Sequence, residues 1–320
     1  TTQNINTLSL AASRMITAGT AVIVTGQDHE ANIGAWERLC QRNGAELRTW
    51  AVDPEGELRL DALEPLVDDR VRILCMTHSS NIVGSINPVE EVIRRVRPLG
   101  VRVVVDGVSF APHSWPDIPL LKPDAYCFST YKTYAPHLGI MYVAESFARE
   151  LDPQCHYFNL EHPEKRFDAA GPDHASIAAL AGLGDYFAAS HQHHFGNSDD
   201  NLYQRTQAVS GLMNQHETAL CQRLLDGIAD LPLEVLGKPH MEGREANIAL
   251  YSRQASSESM SEALGRADIA AGHGHFYAKR LLENAGIEDT EDGVLRVSFS
   301  HYNTAEEVDR VVDVLVGLFP

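Results

Sequence analysis

Between residues 21 and 143 the chain repeatedly sets a short β-branched run against an amphipathic stretch, and this alternation constrains the fold more than any other feature. AVIVT (21–25), LRTWAV (47–52), VRILCM (71–76), VRVVV (101–105), AYCF (125–128) and GIMYV (139–143) read as strands. Among the intervening helical patterns NPVEEVIRRVRPLG (87–100) is the clearest, with Val89, Val92, Ile93 and Val96 on one face. Strands alternating with helices predict an α/β fold, a mostly parallel sheet covered on both sides, with ligands gathering at the carboxyl ends of the strands. The chemically interesting residues should therefore stand just after the strands.

Beyond residue 170 the pattern changes to long helical segments at 174–190 and 201–230, then to a smaller mixed unit. That unit has strand candidates at LEVLG (233–237), NIALYS (247–252) and VLRVSF (294–299), and helices around 258–267, 275–285 and 304–317. The expected division is a large domain over 1–200 and a small C-terminal domain over 201–320 that includes a connecting helix. HQHHFGNSDDN (191–201) reads as a solvated loop. Its three histidines, His191, His193 and His194, have no carboxylate or cysteine partner at ligand spacing, so no metal site is expected.

Composition narrows the function classes. The 320 residues are 44% hydrophobic and 22% charged, which describes an ordinary globular protein. A net charge of −18 argues against a nucleic-acid partner, which would call for a clustered basic face. No apolar run approaches a membrane span, and TTQNINTLSL lacks the regions of a signal peptide, so a cytoplasmic protein is expected. Cys40, Cys75, Cys127, Cys155 and Cys221 are odd in number and scattered, and read as reduced thiols.

Four polar residues follow four of the strands. Asp106 follows VRVVV, and a carboxylate at the end of a buried strand is costly unless a cation or hydrogen bond meets it. His29 lies in QDHEANIGAW after AVIVT, Asn81 in THSSNIVGSINP after VRILCM, and Lys132 in FSTYKTYAPHLG after AYCF. Taken singly, each has a structural explanation: a turn-capping Asp, a helix N-terminal His, turn chemistry at Asn81, a solvated Lys. Together they are the set that pyridoxal phosphate requires: a lysine for the Schiff base, a carboxylate for the pyridine nitrogen, and an imidazole for the ring face. Backbone N–H groups and hydroxyls would hold the phosphate.

On these segments, and on VVVDGVSFAPH (103–113), HSSNIVGSINP (78–88) and LRVSFSHYNTAEEVDR (295–310), the chain resembles class V of the pyridoxal-phosphate aminotransferase fold, in its cysteine desulfurase and selenocysteine lyase branch. The resemblance runs over the whole chain. It implies the type I fold of these transferases, a mostly parallel central sheet flanked by helices with a smaller α+β C-terminal domain. Lys132, 26 residues after Asp106, would be the Schiff-base lysine, with Asp106 on the pyridine nitrogen and His29 stacked on the ring. Asn81 would lie near the cofactor hydroxyl and the substrate, Ser129 near the phosphate, and Arg296 would grip the substrate carboxylate. Thr1 and Thr2 resemble the phosphate-binding turn, which the family normally precedes with a sizeable N-terminal segment; that segment is expected to be missing here. A homodimer acting on a small amino acid substrate is also implied.

The departures from the family pattern bear on the reaction. In AGHGHFYAK (271–279) Tyr277 falls where a persulfide-forming cysteine would stand. Tyr131 replaces the histidine usual before the lysine and would still contact the cofactor. Ser109 stands where a glutamine contacts the cofactor hydroxyl, and Gly171 where a threonine reaches the neighbouring subunit's phosphate. Desulfurase-like C–S or C–Se lyase chemistry without a persulfide cysteine ranks first, transamination or epimerisation next. A catalytically silent protein of the same fold is the reading from another class. A nicotinamide dehydrogenase is disfavoured, since no GxGxxG follows any strand candidate.

Overall fold

The structure, a computed structural model, describes residues 1–319. Strands β1 (Ala21–Thr25), β2 (Glu46–Trp50), β3 (Val71–Thr77), β4 (Arg102–Asp106), β5 (Ala125–Ser129) and β6 (Gly139–Val143) form one sheet in the order β2-β1-β3-β4-β5-β6. The first five run parallel, and β6 returns antiparallel to β5. These are the six expected strands, with one displacement that matters. Asp106 is the last residue of β4 rather than the first after it, in register with Thr77 of β3 and Cys127 of β5. Its main chain is fixed by ladders on both sides.

Helices cover both faces, which is why the strands are continuously apolar. On one face α1 (Thr2–Ala11) and α2 (Glu30–Asn43) bury Ile5, Leu8, Trp36 and Leu39 against Val22, Val24, Ile73 and Val104. On the other, α3 (Val89–Val96) buries its apolar stripe, Val89, Val92, Ile93 and Val96, against Leu74, Met76, Val103 and Val105. Helix α1 was not anticipated, although Ile5, Leu8 and Ala11 recur at helical spacing and are buried.

The segment expected as one helix over 174–190 is two, α4 (His174–Ala179) and α5 (Ala181–Phe195). Helix α5 runs through His191, His193 and His194, so that stretch is not the loop expected. His191 is buried against the Phe195 ring, and its Nε2 lies 3.6 Å from Asp200, so a carboxylate does meet it. Helix α6 (Leu202–Gly227) starts at a capping box between Asn201 and Gln204.

The second sheet is antiparallel in the order β7-β8-β10-β9, from β7 (Glu234–Leu236), β8 (Asn247–Tyr251), β9 (Gly272–Gly274) and β10 (Val294–Ser298). The three-residue β9 went unforeseen because GHG carries no strand pattern. Helices α7 (Ser257–Arg266), α8 (Lys279–Asn284) and α9 (Ala305–Leu318) complete this unit. Its core joins α6 and α9 through Leu224, Leu225, Val308 and Leu315. No helix among the described residues is long and apolar enough to cross a membrane.

The two sheets are joined by the chain after β3. Ile82 and Val83 pack into a cluster with Leu236, Ala249, Leu281 and Val294, and Ser85 bridges to Arg244. Gly84 makes this approach feasible: its φ is +69°, and a Cβ there would stand 2.7 Å from the Asn247 carbonyl. The opening between the sheets therefore has fixed walls.

Candidate active site

Two adjoining cavities, of about 100 and 250 Å³, lie at the carboxyl ends of the large sheet and share Asn81, Val108, Ser109 and Lys132 as walls. They open where the strand order reverses, with β2 on one side of β1 and β3 on the other, the crevice that open α/β sheets use for ligands.

The smaller cavity is built from strand ends. Lys132 sits in a helical turn, Thr130–Thr133, directly after β5, and Thr130 Oγ1 clamps that turn by donating to the Pro136 carbonyl at 2.6 Å. No hydrogen bond or ion pair within the described chain engages Lys132 Nζ, and desolvation, with Arg296 adding to it and Asp106 opposing, lowers its pKa. Asp106 is buried, and burial raises its pKa against the pull of the Val108 N–H, His29 and Lys132. Its Oδ1 accepts from the Val108 N–H at 2.9 Å, while no group of the described chain donates to the other oxygen. His29 caps α2, accepting the Ala31 N–H on Nδ1 at 3.0 Å, so the helix-capping explanation and the cavity position hold for the same residue. Burial lowers its pKa, which keeps the ring neutral and able to accept that bond.

The far end of this cavity holds Thr1, Thr2, Ser129 and Tyr131. Thr1 Oγ1 and Ser129 Oγ are 2.7 Å apart, and α1 begins there without a side-chain cap. The first-turn N–H groups of a helix left open in this way, with hydroxyls beside them, form an anion cradle. The Tyr131 ring stacks on His137 at 4.5 Å.

The larger cavity draws on distant segments. Arg296 reaches in from β10, donates to the Asn81 carbonyl at 3.0 Å, and lies 4.0 Å above the Phe276 ring. It has no carboxylate partner among the described residues, and burial lowers its pKa. Asn81 Nδ2 donates to the Phe276 carbonyl at 2.8 Å, tying the β3 loop to the β9 loop. Ser109 lines both cavities. Its loop is held from beneath by His78, stacked on Phe110 at 3.5 Å and paired with the Tyr126 hydroxyl at 2.8 Å. Gly107 leaves room for that hydroxyl, since a Cβ would fall 2.2 Å from it.

Sequence reasoning missed Phe276, His113, Glu217 and Glu245. His113 and Glu245 line the larger cavity, and His113 Nδ1 pairs with the fully buried Glu217 at 2.7 Å. Glu217 and Glu245 belong to a helix and to a strand approach, where a lone Glu reads as surface. The one available signal for His113 was its place in VVVDGVSFAPH.

Tyr277, in a left-handed conformation (φ 61°), is exposed with its ring 5.2 Å from that of His29. A side chain at this position therefore stands beside the cavities. Cys221 is buried in α6 and its thiol is pushed up to about 12, mainly by burial.

The Aminotransferase class-V family matches residues 1–311. The chain belongs to that family. Among curated relatives it is 32% identical to a cysteine desulfurase of Cronobacter sakazakii, over 99% of this chain and 76% of that protein. It is 31% identical to the aminotransferase-like protein FGM3 of Gibberella zeae, over 96% of this chain and 74% of that one. Two solved structures share the fold. The apo cysteine desulfurase of Thermococcus onnurineus superposes with a TM-score of 0.86 at 22% identity, over 99% of this chain and 77% of that one. The cysteine desulfurase CsdA of Escherichia coli gives 0.83 at 24% identity, over 100% and 78%.

As a class V member the chain is a pyridoxal-phosphate-dependent enzyme of the type I fold. The donor set fits that cofactor. An unengaged amine, a carboxylate with one free oxygen, a neutral imidazole and an uncapped helix start with hydroxyls all face one small cavity.

Proposed function

We propose that this class V enzyme is a desulfurase-like C–S or C–Se lyase acting on an amino acid, without a loop persulfide. The observation that carries the reading is that Asp106 and Arg296 line two adjoining cavities whose shared wall holds Lys132, and none of the three is ion-paired within the described chain. When bound, pyridoxal phosphate supplies the electron sink that lets bonds at the substrate α-carbon break. Asp106 would keep the pyridine nitrogen protonated through its free oxygen, and His29 would hold the ring by its face. Thr1, Thr2, Ser129 and Tyr131 would hold the phosphate, while Ser109 and Asn81 lie beside the ring hydroxyl and the substrate.

Lys132 would attach the cofactor, then move the α-carbon proton, for which a pKa already lowered by desolvation suits it. Arg296 would take the substrate carboxylate as a bidentate pair, preoriented by Asn81 and Phe276. Tyr277 offers no thiol beside the site, and burial disfavours the Cys221 thiolate, so sulfur would leave as a small molecule.

A homodimer supports this site on the family's pattern, and exposed Tyr157, Phe158 and Leu160 supply an apolar face for it. The two sheets, each with its own core, support a division near the start of α6. The five unbonded cysteines support a cytoplasmic location.

The test is direct. Purified protein supplied with pyridoxal phosphate should turn yellow, and borohydride should fix the added mass on the Lys132 peptide. Sulfide or selenide should appear from cysteine or selenocysteine, and the corresponding thiol from S-substituted cysteines, with no persulfide on Cys221 by mass spectrometry. Amino transfer to a 2-oxo acid without sulfur release would move the enzyme to the aminotransferase branch. A protein that never binds the cofactor would be the silent form of the fold.

A further inference from the structure

The larger cavity has a second pole that this mechanism does not use. Glu245 lies in its wall, just before β8, and is almost completely buried. Its backbone is fixed where the two sheets meet, with its N–H donating to the Gly84 carbonyl at 2.9 Å. Its Oε2 accepts from Asn214 Nδ2 at 3.2 Å, whereas Oε1 has no partner. No Lys or Arg among the described residues pairs with it, and His113 is the one group whose positive charge would favour its ionised form. Arg244, next in sequence, directs its guanidinium to the carbonyls of Lys238 and Asn247. Arg296, on the same cavity, is tied to the Asn81 carbonyl. His113 gives Nδ1 to Glu217, so one imidazole stands among two buried carboxylates. When both carboxylates are ionised, even a protonated imidazole leaves the cluster one negative charge.

A buried carboxylate without a cation is costly, and a fold that fixes one from both sides has a use for it. The cavity thus presents an unpaired cation at Arg296 and an unpaired carboxylate at Glu245, with Lys132 also in its wall. We propose that the substrate is an amino acid whose side chain ends in a cation, an ammonium or a guanidinium, received by Glu245 while Arg296 holds the α-carboxylate. For the lyase reading on which this rests, the corresponding substrate is a cysteine whose S-substituent bears the charge. Glu245 is then a specificity determinant rather than a participant at the α-carbon.

The experiment titrates the cofactor-loaded enzyme with matched pairs, following cofactor absorbance and binding heat. The pairs are ornithine and norleucine, lysine and 2-aminoheptanoate, arginine and citrulline, and S-(2-aminoethyl)cysteine and S-propylcysteine. At least one cationic member should bind about tenfold or more tightly than its neutral partner, the size of a buried charge-assisted contact. In Glu245→Gln that ratio should fall towards one while the cofactor spectrum persists. Equal affinities throughout every pair, in an enzyme that does hold its cofactor, overturn the inference and leave the lyase reading standing. The same preference surviving in E245Q overturns the assignment to Glu245. Absence of any cofactor spectrum overturns both. The wild-type pairs decide the matter even if the variant folds poorly.

Discussion

The two adjoining cavities differ in how the chain assembles them. The smaller one is made by the ends of neighbouring strands, whose ladders fix Asp106 between parallel neighbours and Ser129 against β6, just before the turn bearing Lys132. The larger one is made by loops and helices brought together across the junction of the sheets: Asn81, His113, Glu245 and Arg296 come from four separate segments. Geometry common to a whole fold places the first set, and long-range packing particular to this chain places the second. On the proposed reading, general cofactor chemistry falls to the ladder-built half and substrate choice to the packed half. Substitutions should separate the two.

The largest effect is expected from Lys132→Ala. It should abolish both the borohydride-trappable attachment and turnover, with an unchanged far-ultraviolet dichroism spectrum, because no hydrogen bond or ion pair among the described residues depends on Lys132 Nζ. Substantial residual turnover would break the assignment of the ladder-built half to cofactor chemistry.

Asp106→Asn comes next. The amide keeps the shape and an acceptor for the Val108 N–H but removes the charge that holds a pyridinium proton. A loss of about 10²–10³-fold in kcat is expected, the range of a preorganised electrostatic contact. The absorbance of the bound cofactor should change with it. Near-normal kcat would reduce Asp106 to a turn cap.

The packed half can be read through stability. Burial raises the Glu245 pKa to about 7 in the folded chain, with His113 and the Ser114 hydroxyl opposing and Glu217 adding a little. The unfolded chain loses that proton near the ordinary carboxylate value. Stability from the retained proton is therefore present at low pH and lost as pH rises from about 4.5 to 7. Without ligand, Glu245→Gln should match the wild type near pH 4 and exceed it at pH 8 by on the order of 3 kcal/mol in urea unfolding. Asp28, also raised to about 7 by burial, gives both proteins the same background slope. Parallel pH curves would show that Glu245 already has a cation in the free protein.

How far each half was legible in the sequence follows from the same contrast. Asp106 ends a strand, and Lys132, His29 and Asn81 each follow one, whose apolar run is plain in the sequence, so the strand pattern alone brings them to one edge of the sheet. Arg296 needed the resemblance carried by LRVSFSHYNTAEEVDR, because a lone strand arginine has no partner in sequence. Glu245 and Glu217 had no local signal: their burial depends on how α6 packs against the junction, which no periodicity encodes. Strand β9 was missed for the same reason, since GHG is ordered by pairing with β10 rather than by propensity.

The smallest effect is expected at Phe276, where the two halves are most finely divided. Its ring lies 4.0 Å beneath the Arg296 guanidinium, and its carbonyl accepts from Asn81. Phe276→Leu keeps the carbonyl and most of the bulk but removes the ring face that attracts the cation. About 1 kcal/mol of orientation is lost, the scale of a partly desolvated cation–π contact. Arg296 is then less well held for the substrate carboxylate, so KM should rise about fivefold with kcat nearly unchanged. Because Phe276 lines neither strand end, the cofactor spectrum and cofactor affinity should stay as they were. A fall in kcat together with a shifted cofactor spectrum would place Phe276 with the ladder-built half, and the boundary between the two regions would have to move to the other side of Asn81.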